Sequence, residues 1–205
     1  MKDLLVLLSH GHAGRPDAPL GLGAVVDGYT ERDLTPLYMR PMEAALRGHG
    51  VPCWTLSDGT LRDRQERAKA HGEEFLDGHP DGHVVYIPCH MDANPAAGAR
   101  SLWMYDHRSS GGRRLAAAVA DAVGAAMVPD LGRQVVLPAT DDPGWPGPWA
   151  VLHRIYDGPS RMCAMLAEPV ELHAHRPYIT PGWLSMIGVA MAKGILDFAR
   201  ARGVQ

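Results

Sequence analysis

Residues 4–12 read Leu-Leu-Val-Leu-Leu-Ser-His-Gly-His. Five apolar residues run without a break and stop at a polar, glycine-containing segment. A short continuous run of this kind predicts a buried β-strand over Leu4–Leu8. Similar runs recur along the chain. Val51–Leu56 follows a His-Gly stop, and Val84–Cys89 is rich in β-branched residues. Leu102–Tyr105, Gln134–Leu137 and Met162–Ala167 complete a set of six expected strands.

Helical patterns separate these runs. Met42–Gly48 is helix-like, with Pro36 and Pro41 obscuring where it starts, so Glu31 falls in a loop or a first turn. Leu61–Leu76 is charged with apolar spacing, and Leu115–Val128 is rich in alanine. Over Pro181–Arg202, Leu184, Ile187, Met191, Ile195 and Phe198 share one helical face, and Thr180-Pro181 makes a cap with proline at the first helical position. Strands alternating with helices predict an α/β fold. The expectation is a single domain over residues 1–205, with a mostly parallel twisted sheet of about six strands flanked by helices.

Composition agrees. The chain has 205 residues, 46% hydrophobic and 21% charged, which suits one globular domain and excludes disorder as its main theme. With 20 basic and 23 acidic residues and no basic block, a nucleic-acid partner is not expected. Uniformly apolar stretches such as Leu4–Leu8 fall far short of a bilayer's thickness, so no membrane span is expected. Met1–Leu8 is too short for a signal-peptide core, so synthesis in the cytoplasm is expected. Cys53, Cys89 and Cys163 each lie in an apolar run and read as buried thiols. Asp141–Trp149, dense in Pro, Gly and Trp, reads as a long functional surface loop. Oligomeric state leaves no trace in the sequence.

In open α/β sheets, ligands bind beyond the carboxyl ends of the strands. Ser9-His10-Gly11-His12 follows the first strand, His90-Met91-Asp92 the third, and Glu168 the last, with Glu171 close behind. Two imidazoles and carboxylates at one sheet edge are the ligand types of a catalytic zinc, which takes three protein ligands and keeps a position for water. A hydrolase also needs a carboxylate outside the ligand set to move a proton. Residue types alone leave Glu31, Asp27 and Asp33 open as the third ligand.

These residues resemble the zinc-dependent N-acetylmuramoyl-L-alanine amidases, in the branch with an α/β fold that includes autolysins and endolysins. Gly11-His12-Ala13-Gly14 resembles the family's Gly-His-Gly-Gly. Thr30-Glu31-Arg32-Asp33-Leu34 resembles its Glu-x-Asp segment, Tyr86-Ile87-Pro88-Cys89-His90 its strand ending in Ser-Ile-His, and Met165-Leu166-Ala167-Glu168 its Leu-Val-Glu strand end. Leu61 and Arg64 resemble its Leu-x-x-Arg helix, and Ser109 or Ser110 before Leu115-Ala116 its Ser-x-x-Leu-Ala helix start. The resemblance implies Zn2+ held by His12, Glu31 and His90, with Glu168 as the catalytic acid and base. It also implies peptidoglycan or a muropeptide as substrate, cut between N-acetylmuramic acid and L-alanine. Action on the cell wall would then require release from the cytoplasm, as for a phage enzyme.

The chain departs from the family around these positions. Ser9-His10 replaces Asp-Pro, Asp92 replaces Asn, and Pro169-Val170-Glu171-Leu172-His173 replaces the segment after the catalytic Glu. His10, Glu171, His173 and His175 are further candidates beside the site, and Trp103, Trp145 and Trp149 are candidates to stack on sugar or peptide. His79-Pro80-Asp81-Gly82 reads as a turn. A deacylase of N-acyl amino acids, or a non-catalytic wall-binding module, is the competing reading. Glu31 and Glu168 together speak against the latter, since a pure binder needs neither.

Overall fold

Strand β1 (Leu4–His10) is buried along its whole length. It pairs in parallel with β4 (Cys53–Leu56) on one side, from Val6↔Cys53 to Ser9↔Leu56. On the other side it pairs in parallel with β5 (His83–Cys89), from Leu4↔His83 to His10↔Cys89. These contacts come from a computed structural model that describes residues 1–12, 19–127, 130–139, 152 and 161–204. The sheet continues with β9 (Leu166–Glu168), β6 (Arg100–Tyr105) and β7 (Arg133–Pro138), in the order β4-β1-β5-β9-β6-β7. A further segment, β8 (Met162–Ala164), also pairs with β5, so the expected strand Met162–Ala167 is present but interrupted at Met165. A separate hairpin joins β2 (Val25–Val26) to β3 (Tyr29–Thr30).

The fold is α/β and mostly parallel, as expected, with one reversal: β6 runs antiparallel to β9, Leu102 facing Glu168. The link from β5 to β6 spans residues 90–99 and holds only a 3-10 turn at Pro95–Ala97. A parallel return needs a crossover of a dozen or more residues, usually helical. The chain therefore turns back at the same edge, and β9 later fills the position between β5 and β6.

Among the described residues, four helices cover the sheet: α1 (Glu31–Gly48), α2 (Leu61–Gly78), α3 (Ser110–Met127) and α4 (Pro181–Ala201). The two-residue alternation of β1 sorts them. Leu4, Val6 and Leu8 join a core with Tyr38 and Met42 of α1, Leu115 and Val119 of α3, and Leu184 and Ile187 of α4. Leu5 and Leu7 join the core under Ala68 and Leu76 of α2. The helix α4 is long and apolar enough to cross a membrane, but most of it is buried against α1 and α3.

The structure fixes two helix starts. Of the two places open to Glu31, a loop or a first turn, it takes the first turn: helix α1 starts there and carries Pro36 and Pro41 inside it. Thr30 caps it, its hydroxyl accepting from the Asp33 N–H at 3.2 Å. Helix α3 starts at Ser110 rather than Leu115, with Gly112 N–H donating to the Ser109 hydroxyl at 2.9 Å. Gly111 and Gly112 lie in its first turn and allow a close approach. A Cβ on Gly111 would stand 2.4 Å from Cys163 Sγ, and one on Gly112 would stand 2.7 Å from the Ala164 carbonyl oxygen.

Trp103 is a second correction. It is fully buried in the core, its indole N–H donating to Gln134 Oε1 at 2.9 Å, so it cannot stack on a substrate. Cys53, Cys89 and Cys163 are buried free thiols, as expected. His79-Pro80-Asp81-Gly82 is a turn, with Gly82 N–H donating to the His79 carbonyl. The Asp141–Trp149 stretch, with Trp145 and Trp149, lies outside the described residues.

Candidate metal centre

Chain direction places the site. From β1 the chain passes through α1 to β4 on one side, then through α2 to β5 on the other. The crevice between β1 and β5 is therefore a topological switch point, where α/β folds hold ligands beyond the strand ends. His12 follows β1 and His90 follows β5.

Glu31 enters from a third element. The β2–β3 hairpin turns at Asp27-Gly28, both with positive φ, +48° and +87°. That is the backbone a two-residue hairpin turn demands, and Asp-Gly supplies it. The hairpin feeds directly into α1, whose first residue is Glu31. Asp27 is exposed and pairs with Arg176, while Asp33 is exposed and serves the Thr30 cap. Of the three acidic candidates, only Glu31 points inward.

The side chains of His12, Glu31 and His90 converge, with one potential ligand atom from each within 4.8 Å of the others. Glu31 is the hub. Its Oε1 lies 2.8 Å from His90 Nδ1 and accepts from the Met91 N–H at 3.0 Å. Its Oε2 lies 3.3 Å from His12 Nε2 and accepts from the Ala24 N–H at 3.0 Å. Burial alone would raise the Glu31 pKa. The hydrogen bond and charge of His90, the charge of His12 and the Ala24 N–H outweigh it and hold the carboxyl below its ordinary range. The group is thus kept ionised in a buried place.

Two glycines give the cluster room. A Cβ on Gly11 would stand 2.3 Å from the His90 ring. A Cβ on Gly23, which has φ +67°, would stand 2.4 Å from Glu31 Oε2 and 2.7 Å from His12 Cδ2. Gly23 was not singled out from the sequence, where Gly21-Leu22-Gly23 looks like any loop. Tyr38, also unforeseen, is fully buried on α1 and donates its hydroxyl to the His90 carbonyl at 2.9 Å. Arg64, on α2, donates to the carbonyls of His10 and Gly11.

His10 is not in the cluster. Pro36 has no N–H to give to the Arg32 carbonyl one turn earlier. Burial, with Arg64 and the other histidines nearby, pushes His10 down to about 4 against the opposing pull of the Arg32 backbone, so it is neutral at pH 7.

Glu168 is buried at the end of β9, outside the three-residue cluster. The pairing Cys89↔Ala167, and the His90 N–H donating to the Ala167 carbonyl at 2.8 Å, set it beside His90. Glu171 is fully buried and bends back on its own turn, Oε2 accepting from the Ala174 N–H. His175 is also buried: Nδ1 accepts from the Glu171 N–H at 2.9 Å, and Nε2 lies 3.2 Å from the Leu131 carbonyl. Both ring nitrogens are held by backbone, which fixes the Nε2–H tautomer and makes His175 structural. His173 is exposed. Asp92 holds Arg100 at 2.8 Å.

The described residues thus define an α/β protein with a candidate metal centre at the carboxyl edge of its sheet. No protein-family model matches the sequence, and no curated protein matches it. Solved structures match along the whole chain. The N-acetylmuramoyl-L-alanine amidase AmiC2 of Nostoc punctiforme is 18% identical with a TM-score of 0.66, covering 97% of this chain and 98% of that one. The N-acetylmuramyl-L-alanine amidase Ami1 from Mycobacterium smegmatis is 19% identical with a TM-score of 0.66, covering 100% and 99%. The N-acetylmuramoyl-L-alanine amidase from Clostridium difficile 630 is 16% identical with a TM-score of 0.65, covering 98% and 99%. The fold is that of these amidases, as the sequence resemblance implies.

Proposed function

We propose that this chain is a zinc-dependent N-acetylmuramoyl-L-alanine amidase, formed as one catalytic domain over residues 1–205. The observation that carries the reading is the meeting of His12, Glu31 and His90 at the β1/β5 switch point. These three residues come from separate elements, and nothing in secondary structure requires them to meet.

The donor set fits zinc. Two imidazoles and a carboxylate are zinc ligand types, and the three side chains offer them from one cluster. His12, Glu31 and His90 would hold the ion. When bound, zinc supplies a Lewis acid for the amide carbonyl and lowers the pKa of water toward about 7.

The protein's own residues do the rest. Glu31 brings the negative charge that offsets a buried cation. Gly11 and Gly23 leave the space in which the three side chains meet. A carboxylate oxygen of Glu168 takes the proton from the attacking water and delivers it to the leaving nitrogen of L-alanine. The substrate is peptidoglycan or a muropeptide; the place of action is the cell wall where the protein is released as a phage enzyme is, and otherwise the cytoplasm, on wall fragments.

The test is release of soluble fragments from purified peptidoglycan. Chelation is expected to abolish release and added zinc to restore it. Glu168→Gln should lower the rate about 10²–10⁴-fold while leaving zinc bound. A Glu168→Gln variant as fast as the parent would remove Glu168 from the reaction.

A further inference from the structure

Arg64 reaches the candidate metal centre from the far face of the sheet. It lies on α2, and its side chain is buried. One guanidinium nitrogen donates to the His10 carbonyl, and the other donates to the Gly11 carbonyl at 2.9 Å. These carbonyls lie just past the last pair between β1 and β4, Ser9↔Leu56. Buried carbonyls beyond a strand pairing need another donor. The planar fork of arginine meets two at once, where a lysine ammonium is a single point.

The peptide so held is the one that matters to the site. It leads directly into His12. Gly11 also lies flat against the His90 ring, with its hypothetical Cβ 2.3 Å from Cε1, and its N–H donates to the Cys89 carbonyl at 3.0 Å. A shift of this turn would move His12 and release the wall behind His90 together.

We propose that Arg64 is a positioning residue of the metal centre, fixing the Gly11-His12 turn through the His10 and Gly11 carbonyls so that His12 and His90 stand ready for the ion. The proposal rests on the zinc reading of His12, Glu31 and His90. It acts through backbone, with no contact between Arg64 and the metal.

The test compares the full chain with Arg64→Leu, Arg64→Lys and Ala68→Gly. Ala68 is buried on the same helix and its methyl group has no hydrogen bond to give either carbonyl, so its variant reports loosening of α2 alone. Zinc affinity is read by competition with a chromophoric chelator, and ligand geometry by the visible spectrum of the cobalt-substituted protein. Arg64→Leu is expected to weaken zinc binding about 10–100-fold, the range for losing a group that orients metal ligands, and to change the cobalt bands. Arg64→Lys should fall between Arg64→Leu and the parent, and Ala68→Gly should match the parent. If Arg64→Leu does not fold, Arg64→Lys is judged alone, with parental affinity and spectrum overturning the proposal. Equal affinities and spectra for parent and Arg64→Leu also overturn it, as does an equal loss in Ala68→Gly. A parent that takes up no zinc overturns the zinc reading as well, which separates the two failures.

Discussion

Gly11 packs against His90 and Gly23 against Glu31 and His12, and a methyl group on either would meet one of these side chains closer than van der Waals contact allows. At Gly23 the backbone adds its own demand, because φ is +67° and a Cβ there costs roughly 1–2 kcal/mol. We expect Gly23→Ala to weaken zinc binding about 10-fold or more, measured by chelator competition. Unchanged affinity would mean that the Glu31 and His12 positions do not depend on this gap. At this scale the sequence was partly legible. His12, His90 and Glu168 stand out because each closely follows an apolar run, where a charge or imidazole is costly without purpose. Glu31 required the family resemblance, since Asp27 and Asp33 lie equally near in sequence. Gly23 and Tyr38 were hidden: a loop glycine and a helix tyrosine show their role only once the neighbours are in place.

The strands were the most legible elements, because runs such as Leu4–Leu8 and Val84–Cys89 are apolar on both faces. Helix starts were the least. Pro36 and Pro41 left the start of the first helix open, and the helix runs from Glu31 because its buried face, from Leu34 to Leu46, outweighs two missing hydrogen bonds. The start of α3 at Ser110 carries Gly111 and Gly112, whose missing side chains let α3 sit on β8. This yields a test. The Ala164 carbonyl is backbone and cannot swing aside, so Gly112→Ala should cost about 1–3 kcal/mol in urea unfolding, the usual range for overpacking. Stability at or above the parent's would show that α3 does not sit at that distance. The Asp27-Gly28 turn was readable in principle, since Asp-Gly between apolar residues signals a hairpin.

At the scale of the molecule, the site is a consequence of topology. Helices α1 and α2 leave β1 and reach β5 on opposite faces, opening the crevice where His12 and His90 meet. The reversal of β6 brings Arg100 to that same edge, against Asp92. The sequence announced alternating strands and helices but not this reversal, because direction depends on the length and content of one link, residues 90–99. The reaction proposed for this edge is hydrolysis of the bond between N-acetylmuramic acid and L-alanine. The most direct measurement is mass spectrometry of purified peptidoglycan after incubation with the zinc-loaded protein, with Glu168→Ala as control. The account predicts new L-alanine amino termini without new reducing sugars, absent with the variant. New reducing sugars in place of the amines, or no new ends from a protein shown to carry zinc, would contradict it.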